Sequence, residues 1–487
     1  SPGRLLRQLL AEGLLYGSLA GTAAAGLARA AVAALGAIVP SAVTYFSPYA
    51  FQVEGRTLLF VFGLSFLVGT ILGLIPGVQA LRLRRAPLSA RRGREDSPAG
   101  RRARNALVTA QVALSMALLV AAGLMVKGFA RLLAVDAGFD IDRVALASVG
   151  LSPTRYPDGA ARAELLRRLT DALEAHPAIE AVSLGSGAGW GPGQALEAEG
   201  EPPPADRPSR VPRASVGPDF FETMGIDVVD GRALNAADAA TGNVVVDRDL
   251  ARLLWGSRSP VGRRFRTGAD GEWWTVVGVV AELRLLGRDQ RDGPYQFLTA
   301  MDPDRVGRQY VQLAMRTSGP PEALLPVFRR TLRTLDPQQW IWKLSTASDS
   351  LAEEEEKPRF LVTLMSLLAG VAVSLSAVGL YGVLAHSVGR RNREIGVRVA
   401  LGADRGRVRG MVLGEGLRVA ALGVTLGIGG AALASRLVAQ LLYEVEPGDP
   451  ATLAAASALF LLVAAAASLM PAVRATRVDP VRVLQAD

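Results

Sequence analysis

"RRNREIGVRVALGADRGRVRG", Arg390 to Gly410, carries seven arginines, two acids and no aromatic residue. Before it, Phe360–Gly389 runs 30 residues without Asp, Glu, Lys or Arg, and shortly after it Val419–Ser435 runs 17. A helix crosses a bilayer with about 20 mostly apolar residues. The basic segment therefore reads as a loop between two membrane spans. Within it Glu394 and Arg398 are four apart and can pair on one helical face. Ile395 and Val399 share a face, as do Val397 and Leu401. Gly402 suits a helix stop and Asp404 the cap of the next helix. The loop reads as helix, turn, helix, with apolar residues that a merely solvated loop does not need. That pattern is open to two uses, docking a cytoplasmic protein or lying in the membrane interface.

Outward from the loop, further uncharged runs follow. Ala106–Val126 has 21 residues, Ala451–Val473 has 23 and Thr57–Leu81 has 25, while Leu14–Ala28 has 15 and resumes after Arg29. The sequence thus predicts an α-helical membrane protein with six transmembrane helices. Arg82–Arg104 holds nine arginines and the segment after Pro471 holds Arg474, Arg477 and Arg482. The links Pro40–Arg56 and Glu444–Pro450 are poor in Lys and Arg. The positive-inside rule then puts the basic segments in the cytoplasm and the links, with the large polar insert, outside. The expected layout is two spans in 1–81, a basic cytoplasmic linker in 82–104 and a span in 105–127. An extracytoplasmic domain in 128–358 and three spans in 359–487 complete it.

Half of the 487 residues are hydrophobic and the formal charge is +9. Because the arginines cluster at span ends, the charge points to membrane topology and not to nucleic acid. The absence of Cys excludes disulfides and thiolate metal sites, and with only His176 and His386 no His-based metal cluster or triad is expected. No cofactor is expected.

The chain also repeats itself. "GRLLRQLLAEGLLYGSLAG" from Gly3 aligns with "GRVRGMVLGEGLRVAALGV" from Gly406, matching Glu12 to Glu415 and Gly13 to Gly416. "IPGVQALRL" from Ile75 aligns with "MPAVRATRV" from Met470. Two copies of one four-span unit are expected, of which this chain holds the last two spans of the first and all of the second. It would then begin inside a longer protein.

The insert reads as α/β, of the α+β, split βαβ kind. Strands are expected at Arg143–Leu151, "IEAVSLG", "EWWTVVGVVAEL", "QYVQLAMRT" and "IWKLST". Leu165, Leu166, Leu169 and Leu173 lie at helical spacing. A second small lobe is expected around Gly217–Gly287. "GSGAGWGPG" (Gly185–Gly193) lacks the "GK[ST]" ending of a phosphate loop and reads as a surface loop. Glu353–Glu356 read as a solvated stretch, since four consecutive acids on a helix diverge. Trp273 and Trp274 read as the two faces of a strand. No catalytic or metal residues stand out, so no enzyme is expected.

"GLYGVLAHSVGRRNREIGVRVALGADRGRV" resembles the coupling loop of MacB/FtsX-type ABC transporter permeases. "VGPDFFETMGIDVVDGRAL", "SPVGRRF" and "WWTVVGVVAELR" resemble the family's periplasmic domain, and "MPAVRATRVDPVRVL" its last span. The duplication is similar to that of acidobacterial orphan permeases. The resemblance implies a separate cytoplasmic ABC ATPase whose motion the loop passes to the outside domain. Arg393, Glu394, Ile395, Gly396, Arg398, Ala400, Gly402 and Ala403 would face that ATPase. It also implies a stalk near Lys127–Leu133 and Leu351–Lys357, an inner-membrane location, export or efflux, and a periplasmic partner. The alternative is a scaffold that regulates a cell-wall hydrolase and transports nothing.

Overall fold

The computed structural model describes residues 2–36, 55–84, 98–189, 196–202, 211–268, 271–285, 295–301, 310–391, 404–438, 445–446 and 448–476. In chain order the elements are α1 (Pro2–Gly36), α2 (Gly55–Arg84), α3 (Pro98–Ala134), β1 (Val144–Gly150), α4 (Gly159–Glu174), β2 (Ala181–Gly189), β3 (Leu196–Ala198) and β4 (Arg213–Val216). There follow α5 (Phe220–Met224), β5 (Val228–Gly231), β6 (Asn243–Asp247), α6 (Arg248–Trp255), β7 (Arg264–Thr267), β8 (Trp273–Val280), β9 (Phe297–Ala300) and β10 (Tyr310–Arg316). Last come α7 (Leu324–Leu335), β11 (Trp340–Thr346), α8 (Ala347–Arg390), α9 (Arg405–Val438) and α10 (Pro450–Ala475). They form two compact units, one of Ser1–Phe129 with Lys357–Asp487, the other Ala130–Glu356.

In the second unit one sheet runs β11-β1-β10-β2-β4-β9-β6-β8-β7-β3, with β5 beside β8. β1 and β2 both pair antiparallel with β10, which lies between them, and α4 connects them. β10 and β11 flank β1 in the same way, with α7 between them in sequence. Two interlocked split βαβ units result, a ferredoxin-like arrangement. The predicted leucines explain it: Leu165, Leu166, Leu169 and Leu173 of α4 bury against Ala147, Val149, Leu313 and Met315, joined by Phe328 and Leu332 of α7. Burying each such side chain contributes about 1.5–3 kcal/mol. Phe220, Phe221 and Met224 of α5 cluster with Ala314 on the opposite face.

Strands β3 to β9 are inserted between β2 and β10, and β2 pairs directly with β4. The region expected as a separate lobe is therefore an extension of the same sheet. It keeps its own aromatic core, with Phe265 edge-on to both Trp255 (6.2 Å) and Phe297 (5.3 Å). Trp273 and Trp274 do lie on opposite faces: Arg264 and Arg266 approach the first, Phe297 and Arg213 the second. Asp238 anchors the loop before β6. It accepts from Arg232 (2.6 and 2.8 Å), Asn243 (2.6 Å) and the Asn235 N–H (2.8 Å). The Arg232 guanidinium holds this carboxyl well below the usual carboxylate range.

Two further expectations are corrected. Gly185–Gly189 is not loop but the second half of β2, paired with β4 across a register shift. Glycine lacks β propensity, yet the ladder supplied by neighbouring strands holds it extended. Residues 190–193 lie outside the described residues. Of Glu353–Glu356, Glu355 is buried and not solvated, since one of four consecutive helical positions turns inward.

Among the described residues four helices are long and apolar enough to cross a membrane: Arg104–Ala134, Ala347–Arg390, Gly406–Leu433 and Pro450–Ala475. The first part of α2, Gly55–Thr70, is apolar as well. α1, rich in Ala and Gly and interrupted by Arg29, is not among the four. The four share a core in which Val112, Met116 and Val120 of α3 meet Leu380 and Leu384 of α8, Ala420 and Val424 of α9, and Phe460 and Ala464 of α10. Ser115 on α3 bonds the Ser376 hydroxyl (2.8 Å) and the Ala372 carbonyl (2.9 Å) of α8. Polar pairs of this kind join helices where apolar burial alone gives little drive.

α1 and α2 approach through glycines. A Cβ added at Gly17 would lie 2.9 Å from the Ser65 carbonyl oxygen, and one at Gly69 would lie 2.5 Å from the Gly13 carbonyl oxygen. By the sequence match, Gly17 and Gly69 correspond to Ala420 and Ala464, both buried in the four-helix core. Gly13 corresponds to Gly416, where a Cβ would strike Ser468 of α10. Each pair thus crosses at matching positions.

Candidate functional site

The predicted site residues Arg393, Glu394, Ile395, Gly396, Arg398, Ala400, Gly402 and Ala403 lie outside the described residues, which resume at Asp404. What the structure describes is the seat of the loop, where the end of α8, the start of α9 and the end of α10 converge. Val388 of α8, Val408 and Val412 of α9, and Ala472 and Ala475 of α10 form a separate buried cluster. The spacing of 408 and 412, one helical turn, puts both valines on one face. Small residues on α10 let the helices approach closely.

Polar contacts surround this cluster. Arg391, one residue past α8, places Nη1 3.1 Å from Glu415 Oε2 on α9. Both side chains are about one-third exposed, 33% and 35%, so the pair is a positioning contact of modest strength. The Arg391 N–H also bonds back to Ser387 and Val388 carbonyls, closing the last turn. Arg474 of α10 donates to the Tyr381 hydroxyl of α8 at 2.8 Å. Asp404, expected as a cap, accepts from the Gly406 N–H at 3.1 Å, and its carbonyl accepts from Arg407 and Val408. Both ends of the loop are therefore fixed to the helices that carry it.

At the opposite ends of α3 and α10 a second polar knot appears. Lys127 Nζ lies 2.6 Å from Asp449 Oδ1. Asp449 Oδ2 accepts from the Thr452 N–H (2.9 Å) and hydroxyl (2.6 Å), capping α10. Lys127, then Thr452, holds the Asp449 carboxyl well below the usual carboxylate range. In the region expected as a stalk, Leu132 and Leu351 are buried. Pro358 lies within α8, where it removes a backbone donor and favours a bend.

Sequence reasoning did not find the Arg391–Glu415, Arg474–Tyr381 and Lys127–Asp449 pairs. A signal existed for the first: Glu415 is an acid close to an apolar run and recurs as Glu12 in the repeat. Among the described residues no group of three or more His, Asp or Glu could hold a metal ion.

Among the described residues, helices of spanning length with an α/β domain between the first and second of them in sequence fit the class of multi-pass membrane proteins. The FtsX-like permease C-terminal family model matches residues 366–480 and the MacB-like periplasmic core domain model matches residues 105–318. The chain is a MacB/FtsX-type ABC transporter permease. It is 28% identical over 302 residues to a macrolide export ATP-binding/permease protein MacB of Agrobacterium fabrum, covering 56% of this chain and 43% of that protein. It is 26% identical over 327 residues to a MacB 2 of Aeromonas hydrophila, covering 66% of this chain and 48% of the relative. The chain thus spans less than half the length of these relatives, and the match lies in the permease region. A crystal structure of the periplasmic region of MacB from Actinobacillus actinomycetemcomitans aligns at 12% identity and a TM-score of 0.31, over 46% of this chain and 98% of that one.

Proposed function

We propose that this permease couples a separate cytoplasmic ABC ATPase to its extracytoplasmic α/β domain, driving export or efflux across a bacterial inner membrane. Residues 390–410 are the coupling loop, with Arg393, Glu394, Ile395, Gly396, Arg398, Ala400, Gly402 and Ala403 facing the ATPase. The observation that carries this reading is the seat of the loop. Arg391–Glu415 and the Val388–Val408–Val412–Ala472–Ala475 cluster tie both loop ends to α8, α9 and α10. A force on the loop is then delivered to three helices at once, and α8 contributes residues to both units. Relatives whose names include both ATP-binding and permease functions support the need for an ATPase.

In this reading α1 and α2 complete a set of six spans and are the last two helices of a first repeat. Their crossing at positions that match α9 and α10 supports that duplication. The arginine-rich segments are cytoplasmic, and the domain in 128–358 is extracytoplasmic, where it can meet a periplasmic partner.

The test is co-purification of ABC ATPase subunits with the full chain from its native membranes. Replacing Glu394 and Arg398 by Ala should reduce the recovered ATPase while leaving the permease in the membrane. Equal recovery with both proteins contradicts the docking role.

A further inference from the structure

Among the described residues, the sheet face opposite α4 and α7 is covered by α5 near Ala314 but not at the ends of β1, β10 and β11. There a cavity of about 690 Å³ opens, lined by Ser148, Gln312, Gln338, Trp340, Trp342 and Lys343 among others. Its volume is that of a small-molecule site, about 300–1,000 Å³. Two tryptophans lie at its wall with their rings 5.1 Å apart at 66°. They are 61% and 64% exposed, although large aromatic side chains ordinarily bury their area. Trp342 is the extra residue of a β-bulge: β1 pairs Val149 with Ile341 and Ser148 with Lys343, skipping it. Bulges are used to re-aim a side chain. Residues two apart on a strand share a face, so both indoles stand on the cavity side, and the bulge adds Lys343 beside them.

The polar lining narrows the chemistry. Lys343 Nζ is 2.5 Å from Glu353, and Arg155 Nη1 is 2.6 Å from Asp336, so both cations near the cavity are neutralised. Among the described residues no carboxylate lines it. A phosphate or carboxylate ligand would find no unpaired cation among these residues. A purely aliphatic ligand would cover the Gln312 amide and the Ser148 hydroxyl without satisfying them. The Gln339 amide already donates to the Gly150 carbonyl, and Arg155 and Tyr156 share Asp336, which holds the loop beside the cavity in place. The frame is therefore built before any ligand arrives.

We propose that this cavity is a binding site for the pyranose ring of a neutral sugar. One face of a pyranose presents C–H bonds of slightly positive charge, which meet the negative face of an indole. Its equatorial hydroxyls both donate and accept, matching the amides of Gln312 and Gln338 and the hydroxyl of Ser148. The sugar is either part of a free glycan or carried on a small molecule, and the two sources share this chemistry. The site lies in the α/β unit and needs no ATPase, so it stands or falls separately from the coupling loop.

The experiment uses the full chain in detergent, titrated with maltotriose, with tri-N-acetylchitotriose, and with a glycosylated macrolide beside its sugar-free aglycone. Tryptophan fluorescence and calorimetry read the binding. At least one sugar-bearing probe should bind. W340A and W342A should each weaken it tenfold or more with unchanged thermal unfolding. W342F should weaken it less, and W273F, on the sheet's far end, not at all. A trisaccharide as the ligand identifies a free glycan. Binding of the glycosylated macrolide alone, without its aglycone, identifies a carried sugar. Failure of every sugar probe, equal binding by W340A and W342A, or equal binding of the aglycone overturns the proposal.

Discussion

Lys127 and Asp449 form an ion pair at 2.6 Å that joins α3 to the first turn of α10. Asp449 does two things at once, accepting from Lys127 and capping α10 through Thr452. Asp449→Ala removes both roles, whereas Asp449→Asn keeps a cap and loses the charge. Thermal unfolding in detergent should rank wild type above D449N and D449N above D449A. The Asp449 carboxyl titrates below its ordinary value, chiefly because of Lys127. A depressed folded-state value gives stability that is full above the unfolded aspartate value of about 3.9. It is lost as pH falls through the folded value. The difference between wild type and D449N should therefore stay constant from pH 8 to about 5 and shrink only in acid. A difference that vanished near neutral pH would contradict the pairing.

The Arg391–Glu415 contact should matter more for coupling than for folding. As a part-exposed pair it contributes about 0–1 kcal/mol, so R391A and E415Q should unfold close to wild type. If the contact holds the loop for its partner, both variants should lower the ATP hydrolysis of an associated ATPase. The charge-reversed double variant R391E/E415R should recover part of it. Recovery in neither direction would remove the pair from the mechanism.

α9 meets α3 through Gly423 and Gly427. A Cβ at Gly427 would lie 2.6 Å from Met116 Cβ and 2.7 Å from the Ala113 carbonyl, and one at Gly423 would strike Val112. Gly427→Leu should cost about 1–3 kcal/mol through overpacking. Gly430 has no atom within 4 Å of its missing Cβ, so Gly430→Ala should be neutral or stabilising by about 0.5–1 kcal/mol. Unfolding temperatures of the two variants check the contrast.

Asp238 sits buried between Arg232 and Asn243. Asp238→Ala removes charge-assisted hydrogen bonds that are each worth about 1.5–3 kcal/mol, and it leaves the Asn235 N–H without its acceptor. Chemical denaturation of the full chain should show a loss of that order, with Asp238→Asn losing less.

Much of this architecture was legible because burial imposes a period. The α4 leucines and the alternating residues of β10 could face the core in only one way, and both βαβ crossovers follow. The long apolar runs marked the spans, although Arg29 and many small residues left α1 less apolar than the other helices. Glycine misled at Gly185–Gly189, where neighbouring strands and not local propensity keep the chain extended. Ion pairs were invisible for a different reason. Arg391 and Glu415 are 24 residues apart, and Lys127 and Asp449 are 322 apart. No local pattern encodes such a meeting. The bulge at Trp342 was equally hidden, since it depends on how β11 pairs with β1. The coupling role proposed for Arg393 to Ala403 rests on motif resemblance and on the loop's helix, turn, helix pattern.

In the proposed function the loop touches an ATPase. The chain has no native cysteine, so an Arg398→Cys variant carrying a thiol-linked photocrosslinker reports contacts of that position alone. The account predicts an adduct with an ABC ATPase subunit whose yield changes when ATP is added. Adducts confined to lipid, or none that respond to ATP, would contradict it.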